Sequence, residues 1–224
     1  MGRVWVDRKD EPTISIVVGG DFSFILGCAE DNGDKAVLKV LVENCRGKII
    51  VTDDILLISK LEKFYPDNFK RFSRYAIKRE PNVFNKEHLG EFIKAVEPEF
   101  YVTRIDESIY YKLLEEDWTT DFCSNFSSIE EYLKHGIGYV IIQDGQIISG
   151  AGSYSYCRGS IEVTIETRKE YRRRGLALAC ASKVILECLE RNIYLRWDAA
   201  NLNSIALAEK LGYHFDKEYV VYSI

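Results

Sequence analysis

The stretch from Ile161 to Leu189 constrains the fold of this chain more than any other. In Ile161-Glu-Val-Thr-Ile-Glu-Thr167 the apolar residues Ile161, Val163 and Ile165 fall at every second position, the period of a strand. The period then changes. Leu176, Cys180, Val184 and Cys188 form one i, i+4 row, and Ala177, Ala181, Ile185 and Leu189 form the next, which describes a helix with a wide apolar face. Between them lies the basic glycine loop Tyr171-Arg-Arg-Arg-Gly175. A loop that opens a helix presents unpaired backbone N–H groups, and the helix dipole adds positive potential there. Strand, basic loop and helix together predict an anion site suited to a phosphate or pyrophosphate. The glycine spacing fits neither a Gly-x-x-x-x-Gly-Lys-Ser/Thr loop nor a Gly-x-Gly-x-x-Gly dinucleotide loop.

Downstream, Asn192 supplies a left-handed helix stop, and Ile193–Trp197 reads as a short strand. Trp197-Asp198-Ala-Ala-Asn201 follows, with Ser204 three residues on, and then Ala206-Leu-Ala-Glu-Lys-Leu-Gly212-Tyr213. The pairing of Arg172-x-x-Gly175-x-Ala177 with this second segment resembles the two signatures of the GNAT superfamily of N-acetyltransferases. The wording from Trp197 to Asn201 and from Ala208 to Tyr213 is similar to a bacterial subgroup that includes antibiotic self-resistance acetyltransferases.

The resemblance implies a mixed, mostly antiparallel sheet flanked by helices, with acetyl-CoA as cosubstrate and no metal. It implies that the loop Arg172–Ala177 binds the pyrophosphate, with the backbone N–H groups of Arg173, Arg174, Gly175, Leu176 and Ala177 holding it. Ile165, Glu166 and Thr167 line the pantetheine arm, with Ile165 and Thr167 pairing to its amides as an added strand would. Asn201 holds that arm or locks the fifth strand, the other reading being a helix cap. Ser204 is either a further cofactor contact or a first-turn helix residue.

Acetyl transfer to an amine also requires a proton acceptor and a donor for the leaving thiolate. The family often carries a tyrosine as acid two residues before the lysine of the second signature, and here that position is Ala208. The usual glutamate base belongs with Ile161 and Val163 on the strand. Glu162 and Glu166 sit one position off, so Glu162 serves only if a bulge near Arg158–Ile161 re-aims it; otherwise both face solvent. Asp198 is the second carboxylate candidate, or else a turn residue. Tyr213 is read as a core aromatic.

In the second half, Tyr101–Asp106 reads as a strand and Ser108–Glu115 as a helix. Ser128-x-x-Glu131 is a capping box opening a helix over Ile129–His135. Asp144-Gly145 marks a tight hairpin and Arg158-Gly159 another turn. Phe215–Ser223 supplies the last strand.

The first half is α+β in pattern. Val4–Asp7, Thr13–Val18, Phe22–Leu26, Val37–Leu41 and Lys48–Thr52 read as strands, with turns at Gly19-Gly20-Asp21 and Asn32-Gly33-Asp34. Asp53–Phe64, Phe69–Arg79 and Asn85–Glu97 read as helices, the first capped by Thr52 or Asp53. All four prolines lie at or before Pro98, which places a boundary there: residues 1–98 as an N-terminal region and 99–224 as the catalytic domain.

Composition bounds function. A net charge of −5, with the basic run isolated, argues against nucleic acid. A membrane-length apolar run and a signal peptide are both lacking, so a cytoplasmic location is expected. The six cysteines show no Cys-x-x-Cys spacing and read as reduced, mostly core residues. His88, His135 and His214 form no metal pattern. The sequence favours an N-acetyltransferase acting on a small-molecule or peptide amine. The alternative is an acyl-CoA-binding sensor or interaction module without chemistry.

Overall fold

A computed structural model describes residues 2–28 and 34–224, the side chains at 34–36 and 42 excepted. In chain order the elements are β1 (Arg3–Val6), β2 (Ile14–Gly19), β3 (Phe22–Gly27), α1 (Asp34–Asn44), β4 (Ile49–Val51), α2 (Ile55–Phe64), β5 (Lys70–Ile77) and α3 (Lys86–Lys94). There follow β6 (Tyr101–Arg104), α4 (Glu107–Leu113), α5 (Asp117–Thr120), α6 (Ile129–His135), β7 (Gly138–Gln143), β8 (Gln146–Cys157) and β9 (Ser160–Thr167). Last come α7 (Leu176–Glu190), β10 (Tyr194–Arg196), β11 (Asp198–Ala199), α8 (Leu202–Lys210) and β12 (Phe215–Ser223).

Two compact units result: Met1–Arg74 with Glu218–Ile224, and Tyr75–Lys217. The boundary expected near Pro98 lies inside the second unit. The reason is α3, whose Leu89 is fully buried in the same apolar cluster as α7. The divisions fall instead within β5 and β12.

In the first unit β1, β2 and β3 form an antiparallel meander, and β4 adds parallel to β3. The end of β12 pairs with β4 at Tyr222↔Ile50. Ile14, Ile16 and Ile25 face Val37, Leu41, Leu57 and Leu61 in one core. Two sequence expectations are corrected here. Val37–Leu41 lies within α1, because Val37, Leu41 and Cys45 bury as one i, i+4, i+8 row. Phe69–Arg79 contains β5 in place of a helix. The cap of α2 is Asp54, accepting from the N–H groups of Leu56 and Leu57, while Thr52 Oγ1 accepts from Asp54 N. The turn expected at Asn32-Gly33-Asp34 falls outside the described residues.

The second unit carries a sheet in the order β10-β9-β8-β7-β6, antiparallel except for the parallel β9–β10 pair. The hairpin at Asp144-Gly145 has both residues at positive φ, 49° and 74°, as a type I′ turn requires. Helix α7 lies on β7, β8, β9 and β10 and is covered by α3. All four residues of its first row, Leu176, Cys180, Val184 and Cys188, are buried, and Asn192 closes it at φ 53°. A second cluster packs α4 and α6 with Phe122 and Val140. There Gly138 admits close approach: a Cβ would sit 2.4 Å from Ile105 Cδ1. Helix α5 has no counterpart in the sequence reading. No described helix is long and apolar enough to cross a membrane.

Candidate active site

The strands β9 and β10 run side by side only for Ser160–Glu162 against Tyr194–Arg196. Past the Glu162–Arg196 pair they part. The chain turns away at Trp197, and β11 pairs with β5 at Asp198↔Ala76 and Ala199↔Tyr75. From Val163 to Thr167, β9 is paired only to β8; at Thr167 the outward N–H donates to Glu166 Oε1 and the carbonyl accepts from Arg172, so the unpaired main-chain groups of the other edge, a template for an extended ligand, lie from Val163 to Ile165. The parting follows from packing: Trp197 is buried, with its Nε1 donating to Ser204 Oγ at 3.0 Å and its ring edge-on to Tyr213.

At the end of β9 the chain makes a 3-10 turn over Lys169–Tyr171 and enters α7 through the basic loop. Arg173 (φ 69°) and Gly175 (φ 79°, ψ 0°) both adopt the left-handed conformation. Gly175 is the helix N-cap, so no side chain satisfies the first N–H groups, and no acidic residue occupies the first turn. A side chain at Gly175 would meet no atom within 4 Å, so the positive φ selects glycine there and the space beside it is open. These features make an anion cradle.

The arginines divide unequally. Arg172 Nε donates to the Thr167 carbonyl at 3.0 Å, and its terminal nitrogen donates to Glu166 at 2.9 Å. Arg174 donates to Glu97 and Glu99 and lies over the Phe100 ring. Arg173 is exposed and makes no hydrogen bond or ion pair among the described residues. Upstream, Arg168 ties the end of β9 to Glu116 and lies over Trp118. The anchors of Arg168 on Glu116 and of Arg174 on Glu97 were not legible in the sequence, because the partners lie 52 and 77 residues away.

The remaining candidates fall into place by position. Thr167 is buried, and its hydroxyl shares a hydrogen bond with Ser149 Oγ at 2.7 Å. Ile165 packs against the core cluster. Glu166 is exposed and held by Arg172. Asn201 caps α8, its Oδ1 accepting from Ser204 N at 3.0 Å, while Ser204 Oγ is taken by Trp197. Leu176 is buried in the core, and Ala177 is half-buried in the first turn of α7.

Glu162 stands half-buried at the point where the strands part, and Asp198 stands half-buried two residues beyond its partner Arg196. The irregularity expected on β9 lies instead on β8. There the register runs Ser153↔Val163 and then Ser155↔Glu162, leaving Tyr154 as an extra residue opposite Glu162. The buried Tyr213 hydroxyl donates to the Leu195 carbonyl at 2.9 Å. Burial pushes its pKa well above the ordinary value, with smaller upward effects from Tyr194, Cys188 and Glu162. Ala208 is fully buried and offers no acid. Among the described residues no His/Cys/Asp/Glu group could hold a metal ion.

A protein-family model described as GNAT acetyltransferase matches residues 1–222. A GCN5-related N-acetyltransferase-like protein from Streptococcus suis is 35% identical, with a TM-score of 0.90 over 100% of this chain and 88% of that one. The uncharacterized N-acetyltransferase YdfB of Bacillus subtilis is 29% identical over 170 residues, 73% of this chain but only 61% of that protein, so the chain spans less than two thirds of this relative. The GCN5-related N-acetyltransferase from Kribbella flavida shares the fold at 11% identity, with a TM-score of 0.58 over 94% of this chain and 85% of that one. With the family model covering nearly its whole length, the chain belongs to the GNAT acetyltransferase family.

Proposed function

We propose that this chain transfers the acetyl group of acetyl-CoA to a primary amine on a small molecule or peptide. The observation that carries the reading is the parting of β9 from β10 beside an anion cradle. Main-chain N–H groups from Arg173 to Ala177 hold the pyrophosphate, and the free edge of β9 over Val163–Ile165 pairs with the pantetheine amides. The thioester then reaches the neighbourhood of Glu162 and Asp198. The amine nitrogen attacks the thioester carbonyl carbon and the carbon–sulfur bond breaks. The proton lost by the ammonium goes to Glu162, directly or through water, and the thiolate takes a proton from water because Ala208 supplies none. Asp198 is the alternative acceptor.

A second reading, a CoA-binding module without chemistry, is favoured by Ala208 alone. Release of free thiol from acetyl-CoA separates the two. An amine panel spanning aminoglycosides, polyamines and peptide N-termini also tests the likeness to antibiotic self-resistance enzymes. Amine-dependent thiol release supports the enzyme. Tight CoA binding with no release across the panel supports the module, and absence of CoA binding removes both.

A further inference from the structure

Arg174 belongs to the basic loop, yet its guanidinium is turned to the protein. It donates to Glu97 and to Glu99, the latter at 3.0 Å, and its carbon lies 4.6 Å from the centroid of Phe100. Phe100 is buried and meets Tyr171 edge-on, with ring centroids 6.2 Å apart at 82°. The loop therefore straddles one aromatic ring, with Tyr171 against it at one end and Arg174 on it at the other. Arg173 and Gly175, the two left-handed residues, flank Arg174.

A single exposed ion pair is worth little. Here one planar guanidinium serves two carboxylates and stacks on a buried ring, so several weak contacts act on the same group. We propose that Arg174 is a positioning residue, locked on Glu97, Glu99 and Phe100 so that the backbone N–H groups on either side of it face outward, which leaves Arg173 as the cation of the loop that has no partner among the described residues. This inference rests on the reading of the loop as a CoA phosphate site. It opposes the simpler idea that all three arginines grip the phosphates.

The two ideas predict opposite signs. Glu97→Gln with Glu99→Gln removes two negative charges near the cradle and frees Arg174. If Arg174 were a phosphate ligand, CoA would bind more tightly. If Arg174 is a lock, the loop loosens and CoA binding weakens about tenfold through lost preorganisation. Arg174→Lys, which keeps the charge but loses the planar fork, weakens binding in the same direction. In both variants KM for acetyl-CoA rises while kcat at saturation stays within about twofold.

Hydrogen exchange of the unliganded protein tests the lock apart from the ligand: the hydrogen-bonded N–H groups that flank the loop, Tyr171, Arg172 and Ala179, should exchange faster in both variants. Tighter or unchanged CoA binding, or lowered thermal stability with the loop's exchange unaltered, overturns the proposal. Failure of the parent protein to bind CoA would instead sink the reading of the site, with the exchange result still deciding the lock.

Discussion

The two arms that part at the Glu162–Arg196 pair use their polar groups in opposite ways. Along β9 and into α7, backbone groups are left open: the strand edge from Val163 to Ile165, the left-handed loop and the uncapped first turn. Along β10, β11 and α8, polar side chains are consumed inside the protein. Asn201 caps a helix, Ser204 accepts from Trp197, and the Tyr213 hydroxyl donates to Leu195. The contrast teaches that the polar side chains of the second signature are spent on hydrogen bonds inside the protein, while the first leaves backbone groups open.

The sharpest way to break this comparison is Gly175→Asp. It sets a negative charge where an anion is expected and forces a side chain at φ 79°. Like-charge opposition and strain together should weaken CoA binding about a thousandfold, read by calorimetry; near-parental affinity would mean that the cradle lies elsewhere. Next, Glu162→Gln should lower kcat about a hundredfold with CoA affinity kept. Its rate should climb more steeply with alkaline pH, since the amine must then lose its proton to water. Turnover within a few-fold of the parent across pH would pass the role to Asp198. On the other arm, Ser204→Ala strands the buried Trp197 N–H and should cost about 1.5 kcal/mol of unfolding free energy. Asn201→Ala should cost about 1 kcal/mol, the worth of a helix cap. For both, CoA affinity should stay within about twofold; a tenfold loss at Asn201 without a fall in stability would show that this arm also holds the ligand.

The two halves of the chain differed in how plainly they could be read. Helix α7, of fifteen residues, was visible because its apolar rows run from Leu176 to Leu189 and both of its ends are marked, by Gly175 and by Asn192. The first-half stretch Val37-Leu-Lys-Val-Leu41 is short and rich in β-branched and leucine residues, so it suits a strand as well as a helix. Only Cys45, the third member of its buried row, decides the matter. The segment Phe69–Arg79 spaces Phe69, Phe72 and Ala76 as a helix would. Pairing of Tyr75 and Ala76 with β11, at residues more than a hundred positions away, makes it a strand.

The sequence by itself determined what depends on near neighbours: the hairpin at Asp144-Gly145, the Ser128 cap, the stop at Asn192 and the change of period across the basic loop. Each is a matter of backbone sterics or of a hydrogen bond spanning a few residues, so the local wording suffices. What the tertiary structure decided is which polar groups remain open. Three arginines in a row look alike in sequence. Arg172 is occupied because Glu166 and the Thr167 carbonyl come within reach, and Arg174 because Glu97, Glu99 and Phe100 do, which leaves Arg173. The same holds for Glu162, whose place at the parting of the strands depends on where β10 leaves β9 and on the extra residue at Tyr154 in β8. A charge's role is set by what packs around it, and packing joins residues that sequence distance keeps apart.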